Sequence, residues 1–167
     1  MRGWRTVLLA GLGAATLVVA GTSTAAADKG GTLINFESMT PVSGAAVGTV
    51  NDRGITGGGV PWLITSGSGT VDRKTGHVHV EVTGLVLATT GTNPIATFSA
   101  IVSCVTKTGI VNVATGAFPA TTTGDSTIDG TVSLPKHCKD PIVFVANGTA
   151  TRWFAMSNPR VDDEGDD

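Results

Sequence analysis

The amino-acid sequence predicts an all-β domain, an antiparallel sandwich or barrel-like sandwich closed by one disulfide. Three observations lead to this prediction. Short apolar or alternating runs follow one another along the chain, separated by Gly, Thr, Ser, Asn and Asp. Thr and Val are abundant, which suits a pleated sheet and disfavours helix. The chain has two cysteines, Cys104 and Cys138, behind an N-terminal export signal.

The export signal occupies residues 1–27. Arg2 and Arg5 give a basic start, residues 6–20 are apolar and small, and an A-x-A site follows at 25–27. The apolar run is shorter than the ~20 residues that span a bilayer, and no later stretch is long and apolar enough. We therefore expect cleavage after Ala27, or at the neighbouring Ala26, and a secreted, extracellular product without a membrane span. An uncleaved anchor helix is the alternative.

The charge distribution divides the remaining chain into a flexible lead-in (28–31), a β-domain (32–157) and an acidic tail (158–167). Five of the thirteen acidic residues lie in the last six positions, which predicts a solvated, disordered end because like charges repel. Without these five, and without Arg2 and Arg5, nine basic residues face eight acidic ones. A nearly neutral body lacks the clustered Lys and Arg of a nucleic-acid surface, so no nucleic-acid partner is expected.

The two cysteines are predicted to form a disulfide, because export places Cys104 and Cys138 in an oxidising compartment. Closing a loop of this length stabilises the fold by about 3–4 kcal/mol in the chain-entropy model. A metal site would need more Cys or His at ligand spacing. The other alternative is a free, reactive Cys138 beside His137 and two lysines.

Eight strands are predicted. They lie at 32–39, 61–71, 77–87, 95–105, 110–114, 126–134, 142–146 and 151–156. The second and third should pair across the polar turn 72–76, and the alternation of 77–83 predicts one buried and one wet face. The alternation slips at Gly84, which indicates a bulge or a bend between sheets. The apolar run 95–104 is predicted to be central, and surface loops are predicted at 54–59 and 117–125.

Five aromatic residues fall inside predicted strands and are expected in the core. They are Trp62, Phe98, Phe144, Trp153 and Phe154. Trp153 and Phe154 are adjacent, so a regular strand would turn one of them outward. An exposed aromatic side chain there would indicate a binding face.

His77, His79 and Glu81 are the main candidates for a site. Spaced two apart on a strand, they would project from one face, about 6–7 Å between successive side chains. A His-x-His pair on a strand can hold copper or zinc, and His77 and His79 resemble the pair of copper–zinc superoxide dismutases. That family needs further histidines and an aspartate, whereas this chain offers only His137 elsewhere. The interpretation is a solvent face with at most weak metal or ligand binding, and no cofactor is expected.

Catalytic motifs are missing from the mature sequence. There is no G-x-S-x-G, and Ser66 to Gly69 is predicted to be a loop or strand bend. Composition alone leaves open a triad or carboxylate pair assembled from distant positions. Most core carboxylates, such as Asp72 and Asp129, stand in turn contexts. The sequence therefore favours a domain that is not an enzyme.

Three stretches together resemble a known group of proteins. They are Gly-Gly-Val-Pro-Trp (58–62), Gly-His-Val-His-Val-Glu-Val-Thr-Gly-Leu-Val-Leu (76–87) and Gly-Thr-Asn-Pro-Ile-Ala-Thr-Phe-Ser-Ala-Ile-Val-Ser-Cys (91–104). This pattern is similar to small secreted proteins of unknown function from high-GC Gram-positive bacteria. The middle stretch also resembles the strand pattern of chordin-type repeats. These resemblances imply export and a β-fold, and they bring no catalytic residues.

The resulting expectation is a secreted, non-catalytic β-domain at or near the cell surface, structural or binding a protein or glycan partner. One alternative is a small extracellular hydrolase. Another is a protease inhibitor that presents a loop near the disulfide, at 117–124 or 135–140.

Overall fold

The computed structural model describes residues 31–158, which form thirteen strands and a short 3-10 helix, η1 (Gly44–Ala46). The strands are β1 (Thr32–Phe36), β2 (Met39–Pro41), β3 (Thr56–Gly57), β4 (Trp62–Leu63), β5 (Ser66–Asp72), β6 (His77–Thr83), β7 (Val86–Leu87), β8 (Thr97–Thr106), β9 (Gly109–Ala114), β10 (Phe118–Pro119), β11 (Ser126–Thr131), β12 (Lys139–Asn147) and β13 (Arg152–Ser157). The predicted signal peptide, and all but Gly31 of the lead-in and Asn158 of the tail, lie outside the described residues. Between positions 31 and 158, no helix has the length and apolarity that crossing a bilayer requires.

The strands form three sheets, and the predicted all-β, antiparallel class is confirmed. The four-strand sheet has the order β1-β5-β6-β11. The seven-strand sheet has the order β10-β8-β12-β13-β2, with β9 also on β8 and β3 on β13. The β3–β13 pair is parallel, whereas neighbouring strands along both of these orders are antiparallel. A small third sheet joins β4 and β7.

The predicted hairpin of the second and third runs is confirmed as β5 and β6, which pair from Ser66↔Thr83 to Val71↔Val78. Its turn is held by Asp72, whose Oδ1 accepts hydrogen bonds from the Lys74 and Thr75 amides at 2.9 and 2.7 Å. The alternation of β6 is real: the valines at 78, 80 and 82 are buried, and the residues between them face outward. The four-strand sheet therefore has one core face and one wet face.

The break in alternation at Gly84 is a bend between sheets, one of the two predicted outcomes. β6 ends at Thr83, and the chain then enters β7, which pairs with β4 in the small sheet. Gly84 has φ +64°, a left-handed conformation that favours glycine. The bend is fixed by the loop before β11, because Asp125 Oδ1 accepts from the Gly84 amide at 2.9 Å and the Gly124 carbonyl accepts from Leu85 at 3.0 Å.

The predicted disulfide between Cys104 and Cys138 is present. Cys104 is near the end of β8, and Cys138 immediately precedes β12. Their Cα atoms are 4.8 Å apart, within the range a disulfide spans. Since β8 and β12 are neighbouring strands, the bridge braces one end of the seven-strand sheet. β8 is central as predicted, paired with β12 on one side and with β9 and β10 on the other.

The five aromatic residues predicted for the core are all buried, but the expectation that Trp153 or Phe154 faces outward is wrong. Trp153 packs edge-on against Phe144 with centroids 5.6 Å apart, whereas Phe154 stacks on Trp62 at 4.1 Å. Phe154 also contacts Phe98. Because both faces of the seven-strand sheet are covered at this point, adjacent residues of β13 can point in opposite directions and both be buried.

The predicted surface loop at 54–59 is also wrong. Ile55, Gly57 and Gly58 are buried, and residues 56–57 form β3 on the edge of β13. A Cβ atom on Gly57 would collide with the Ala46 carbonyl, so the close packing requires glycine at this position. This segment is part of what covers the second face of the seven-strand sheet. The other predicted loop, 117–125, is mostly exposed but contains the short strand β10.

Candidate functional site

The candidate site lies on the wet face of the four-strand sheet, which we call the polar face. Strand register places ten outward side chains in rows across β5, β6 and β11. They are Ser66, Ser68, Thr70, His77, His79, Glu81, Thr83, Thr127, Asp129 and Thr131. None of them is apolar, and each is exposed or half-buried. The predicted solvent face of β6 therefore extends over two further strands.

The three residues predicted as the site, His77, His79 and Glu81, do lie on this face, and the structure adds Asp129 from β11. Asp129 stands directly opposite His79 in the ladder. Its Oδ1 is 2.8 Å from His77 Nε2, and its Oδ2 is 3.1 Å from His79 Nδ1. The Glu81 carboxylate lies 3.5 Å from His79 Nε2. One carboxylate thus bridges both imidazoles.

The two imidazoles determine the protonation of Asp129. Hydrogen bonds from His77, and then from His79, hold the pKa of the Asp129 carboxyl below its usual value, against a smaller opposing effect of desolvation. The carboxylate is more than half exposed, so water screens these interactions. Asp129 is therefore an anion throughout the neutral and mildly acidic range.

This arrangement engages three of the four imidazole nitrogens of His77 and His79 with carboxylates. Both ring nitrogens of His79 face carboxylates, and Nε2 of His77 is engaged by Asp129. Among residues 31–158, no group of three or more His, Cys, Asp or Glu side chains is arranged to hold a metal. A cation would have to displace a carboxylate before it could reach either ring nitrogen of His79 or Nε2 of His77.

A shallow groove of about 480 Å³ begins at Glu81 and runs beside the polar face. It lies between the end of β6, the start of β11 and the loop that precedes β11. Its polar lining residues are Glu81, Thr83, Thr121, Asp125, Ser126 and Thr127, and Val82 and Pro119 complete the lining. It is open to solvent, so it suits an extended ligand lying along the surface better than a small enclosed one.

Asp125 forms one wall of this groove and also fixes its loop. Besides binding the Gly84 amide, Asp125 accepts a hydrogen bond from the Thr123 hydroxyl at 2.8 Å on Oδ2. The Gly84 amide, and then the Thr123 hydroxyl, lower the pKa of the Asp125 carboxyl. The groove therefore carries two carboxylates, Glu81 and Asp125, and the second is held rigidly.

The other residues considered as nucleophiles or reactive groups lie elsewhere. Ser66 and Ser68 are on β5, and the Ser66 hydroxyl is 2.7 Å from that of Thr83. No serine hydroxyl within residues 31–158 forms a hydrogen bond with a histidine nitrogen. Cys138 is in the disulfide, and no free cysteine exists in the described chain. His137 is exposed beside the disulfide, in the bend that precedes β12 of the seven-strand sheet, whereas His77 and His79 are on β6 of the four-strand sheet.

Asp129 is the site residue that sequence reasoning missed as a partner of the histidines. Its strand does alternate, with Thr127, Asp129 and Thr131 outward and Ile128 inward. That signal places Asp129 on a wet face. It does not reveal that β11 pairs with β6, fifty residues away in sequence.

Comparison of the chain with protein-family models, with curated proteins and with solved structures finds no match in any of the three. The resemblance to small secreted proteins of high-GC Gram-positive bacteria therefore stays a prediction, as does that to chordin-type repeats.

Proposed function

We propose that this protein is a secreted, non-catalytic bacterial domain that binds a glycan at or near the cell surface through its polar face. The observation that carries the proposal is the polar face itself. Hydroxyl, imidazole and carboxylate groups lie side by side across β5, β6 and β11, and the groove begins beside them at Glu81. Export places the domain outside the cell, where polysaccharides are the abundant extended polar ligands.

The chemistry of the face suits a carbohydrate. Sugar hydroxyls both donate and accept hydrogen bonds, and the face offers Ser and Thr hydroxyls beside the acceptors Glu81, Asp125 and Asp129. The carboxylates are supported by neighbouring strands or loops, so little side-chain ordering is needed on binding. The absence of an aromatic side chain among the ten residues of the polar face favours recognition by hydrogen bonds over ring stacking.

The test is a pull-down of the secreted protein with insoluble peptidoglycan, chitin and cellulose. We expect binding to at least one of them, weakened about tenfold in a His79→Ala, Asp129→Asn variant. The matched control, His137→Ala with Asp52→Asn, makes the same chemical changes at exposed positions outside the face and should bind like the wild type. Failure of all three polysaccharides, or equal binding by both variants, would contradict the proposal.

Secretion is tested separately by the intact mass of protein recovered from the culture medium. The expected mass is that of residues 28–167 less two hydrogens, because the signal peptide is removed and the disulfide is formed. Retention of residues 1–27 would make the chain an anchored protein instead.

The two alternatives from the sequence receive less support. A hydrolase of the triad type needs a nucleophile beside a histidine, and His79 is flanked by carboxylates on both nitrogens. An inhibitor needs an extended, accessible loop. Of the two candidate segments, 117–124 is tied to β8 through β10 and closes in a hydrogen-bonded turn. The other, 135–140, bends at Lys136 and His137 before joining β12.

A further inference from the structure

A basic cluster surrounds the disulfide end of the seven-strand sheet. It consists of Lys107 in the β8–β9 turn, Lys136 and His137 before the disulfide, and Lys139 at the start of β12. All four side chains are exposed. We call these residues the lysine cluster. They hold three of the seven Lys and Arg residues found between positions 31 and 158.

The members of the cluster share two adjoining hollows. One, of about 290 Å³, is lined by Lys107, His137 and Lys139 together with Val105. The other, of about 250 Å³, is lined by Lys107, Lys136 and His137 together with Val111 and Pro135. Because Lys107 and His137 line both hollows, the three lysines of the cluster lie around one continuous surface. Val105, Val111 and Pro135 make part of that surface apolar.

Among the described residues, the lysines of this surface have no ionic partner within 4 Å. Within residues 31–158, His77 and His79 pair with Asp129 and Glu81 on the other sheet, whereas no ion pair includes a lysine of the cluster. The described body carries seven acidic residues against seven basic ones. One of the acidic residues, the exposed Asp140, directly follows Lys139, so this surface carries three lysines against one neighbouring carboxylate. The surface therefore fits an acidic occupant.

The same chain contains such an occupant, the acidic segment 162–167, with five carboxylates in six residues. Its point of attachment lies at the correct end of the sheet. β13 runs antiparallel to β12, and near its end Ser157 Oγ accepts from the Val143 amide at 3.0 Å. Lys139 is four residues before Val143, so the chain leaves β13 heading towards the lysine cluster.

The chain beyond β13 is long enough for segment 162–167 to reach the lysine cluster. Lys139 lies at most about 13 Å from Val143, which is four residues at ~3.3 Å each. The irregularity in β12 between Lys139 and Ile142 shortens this distance. Asp162 is five residues beyond Ser157 and can reach about 16–18 Å, and Asp167 can reach about twice as far. Asn158 is anchored, since its amide donates to the Ser38 carbonyl at 3.0 Å. The short tether gives the segment an effective concentration in the millimolar range at the cluster.

We propose that the lysine cluster is the docking surface of the acidic segment 162–167 of the same chain. Each exposed ion pair contributes little free energy. Several such pairs form together here, and the short tether raises the local concentration of the carboxylates, so the combined interaction is stronger. The segment then competes with any external polyanion for the cluster. Salt weakens the contact, because the Debye length falls from about 10 Å at 0.1 M to about 3 Å at 1 M. This inference is independent of the glycan proposal, which concerns the opposite sheet.

The main test compares the full secreted chain with a variant whose five acids in 162–167 are changed to Asn or Gln. At low salt, backbone amide NMR shifts of the lysine cluster should differ between the two proteins, and the difference should vanish at high salt. The amides of Arg73 and Arg152, which lie outside the cluster, serve as controls and should not differ. Equal shifts at the cluster in both proteins at low salt would overturn the proposal.

A second measurement identifies the occupant. A peptide of residues 159–167, added to the neutralised variant, should move the same amides, and the wild-type protein should need about tenfold more peptide because its own segment competes. Polyglutamate should likewise be needed at about tenfold higher concentration with the wild-type protein than with the neutralised variant. Equal affinity for wild type and variant would mean that the cluster serves an external partner. Cluster shifts that depend on protein concentration would mean docking between copies, and either result overturns the proposal.

Discussion

The two large sheets are built from similar residues but are covered differently. The four-strand sheet buries valines at 78, 80 and 82 and exposes the residues between them, so its alternation can be read directly from the sequence. In the seven-strand sheet, β8 is buried at every position from Phe98 to Cys104. One of its faces carries Ile101, beside which Ile55 lines a small pocket. An alternation of polar and apolar residues therefore marks the exposed side of a strand only where one face of the sheet is in contact with solvent.

The largest expected losses of stability come from two single substitutions in β13, one on each face of the strand. Trp153→Ala and Phe154→Ala should each lower the free energy of unfolding by about 3–5 kcal/mol, since each removes a buried aromatic side chain. Denaturant unfolding measures both. On a sheet with one wet face only one of the two would be costly, so a loss below about 1 kcal/mol in either variant would show that one face is open.

An intermediate effect is expected where the segment 54–59 packs closely. Gly57→Ala should destabilise the fold by about 1–3 kcal/mol, because the added methyl group collides with the Ala46 carbonyl. Gly59→Ala, two residues away, meets no atom within 4 Å and should stay within about 1 kcal/mol of the wild type. Equal thermal stability of the two variants would mean that the segment does not pack tightly.

The smallest effect is expected on the wet face. The folded state lowers the pKa of Asp129, so its hydrogen bonds to His77 and His79 stabilise the protein above the unfolded pKa and are lost as pH falls through the folded value. Asp129→Asn should therefore be slightly less stable than the wild type near pH 7. The difference should shrink when unfolding is measured below about pH 3. A difference that persists undiminished below about pH 3 would contradict the assigned role of Asp129.

Local patterns predicted much of this arrangement. The alternation of β6 predicted a wet face with His77, His79 and Glu81, and the slip at Gly84 predicted a bulge or a bend between sheets. The turn at Asp72 and the central position of β8 also followed from residue types. These features depend on neighbours along the chain, and steric and hydrogen-bonding preferences act at that range.

The missed features depend on contacts between distant segments. The position of Asp129 between His77 and His79 requires the β6–β11 register, and the burial of Gly57 requires β3 to reach β13. The burial of Trp153 beside Phe154 requires cover on both faces of the sheet. No local propensity encodes which strands become neighbours.

By itself, the sequence determined the β-class, the pair of cysteines that forms the bridge and the polar character of the outward side of β6. Each follows from composition or from a period of two. Only the tertiary structure decided that this side continues over β5 and β11 as one polar face, and that the lysines at 107, 136 and 139 meet around the disulfide. The physical reason is the same in both cases: strand pairing brings together residues that are dozens of positions apart, and pairing is selected by the packing of the whole core.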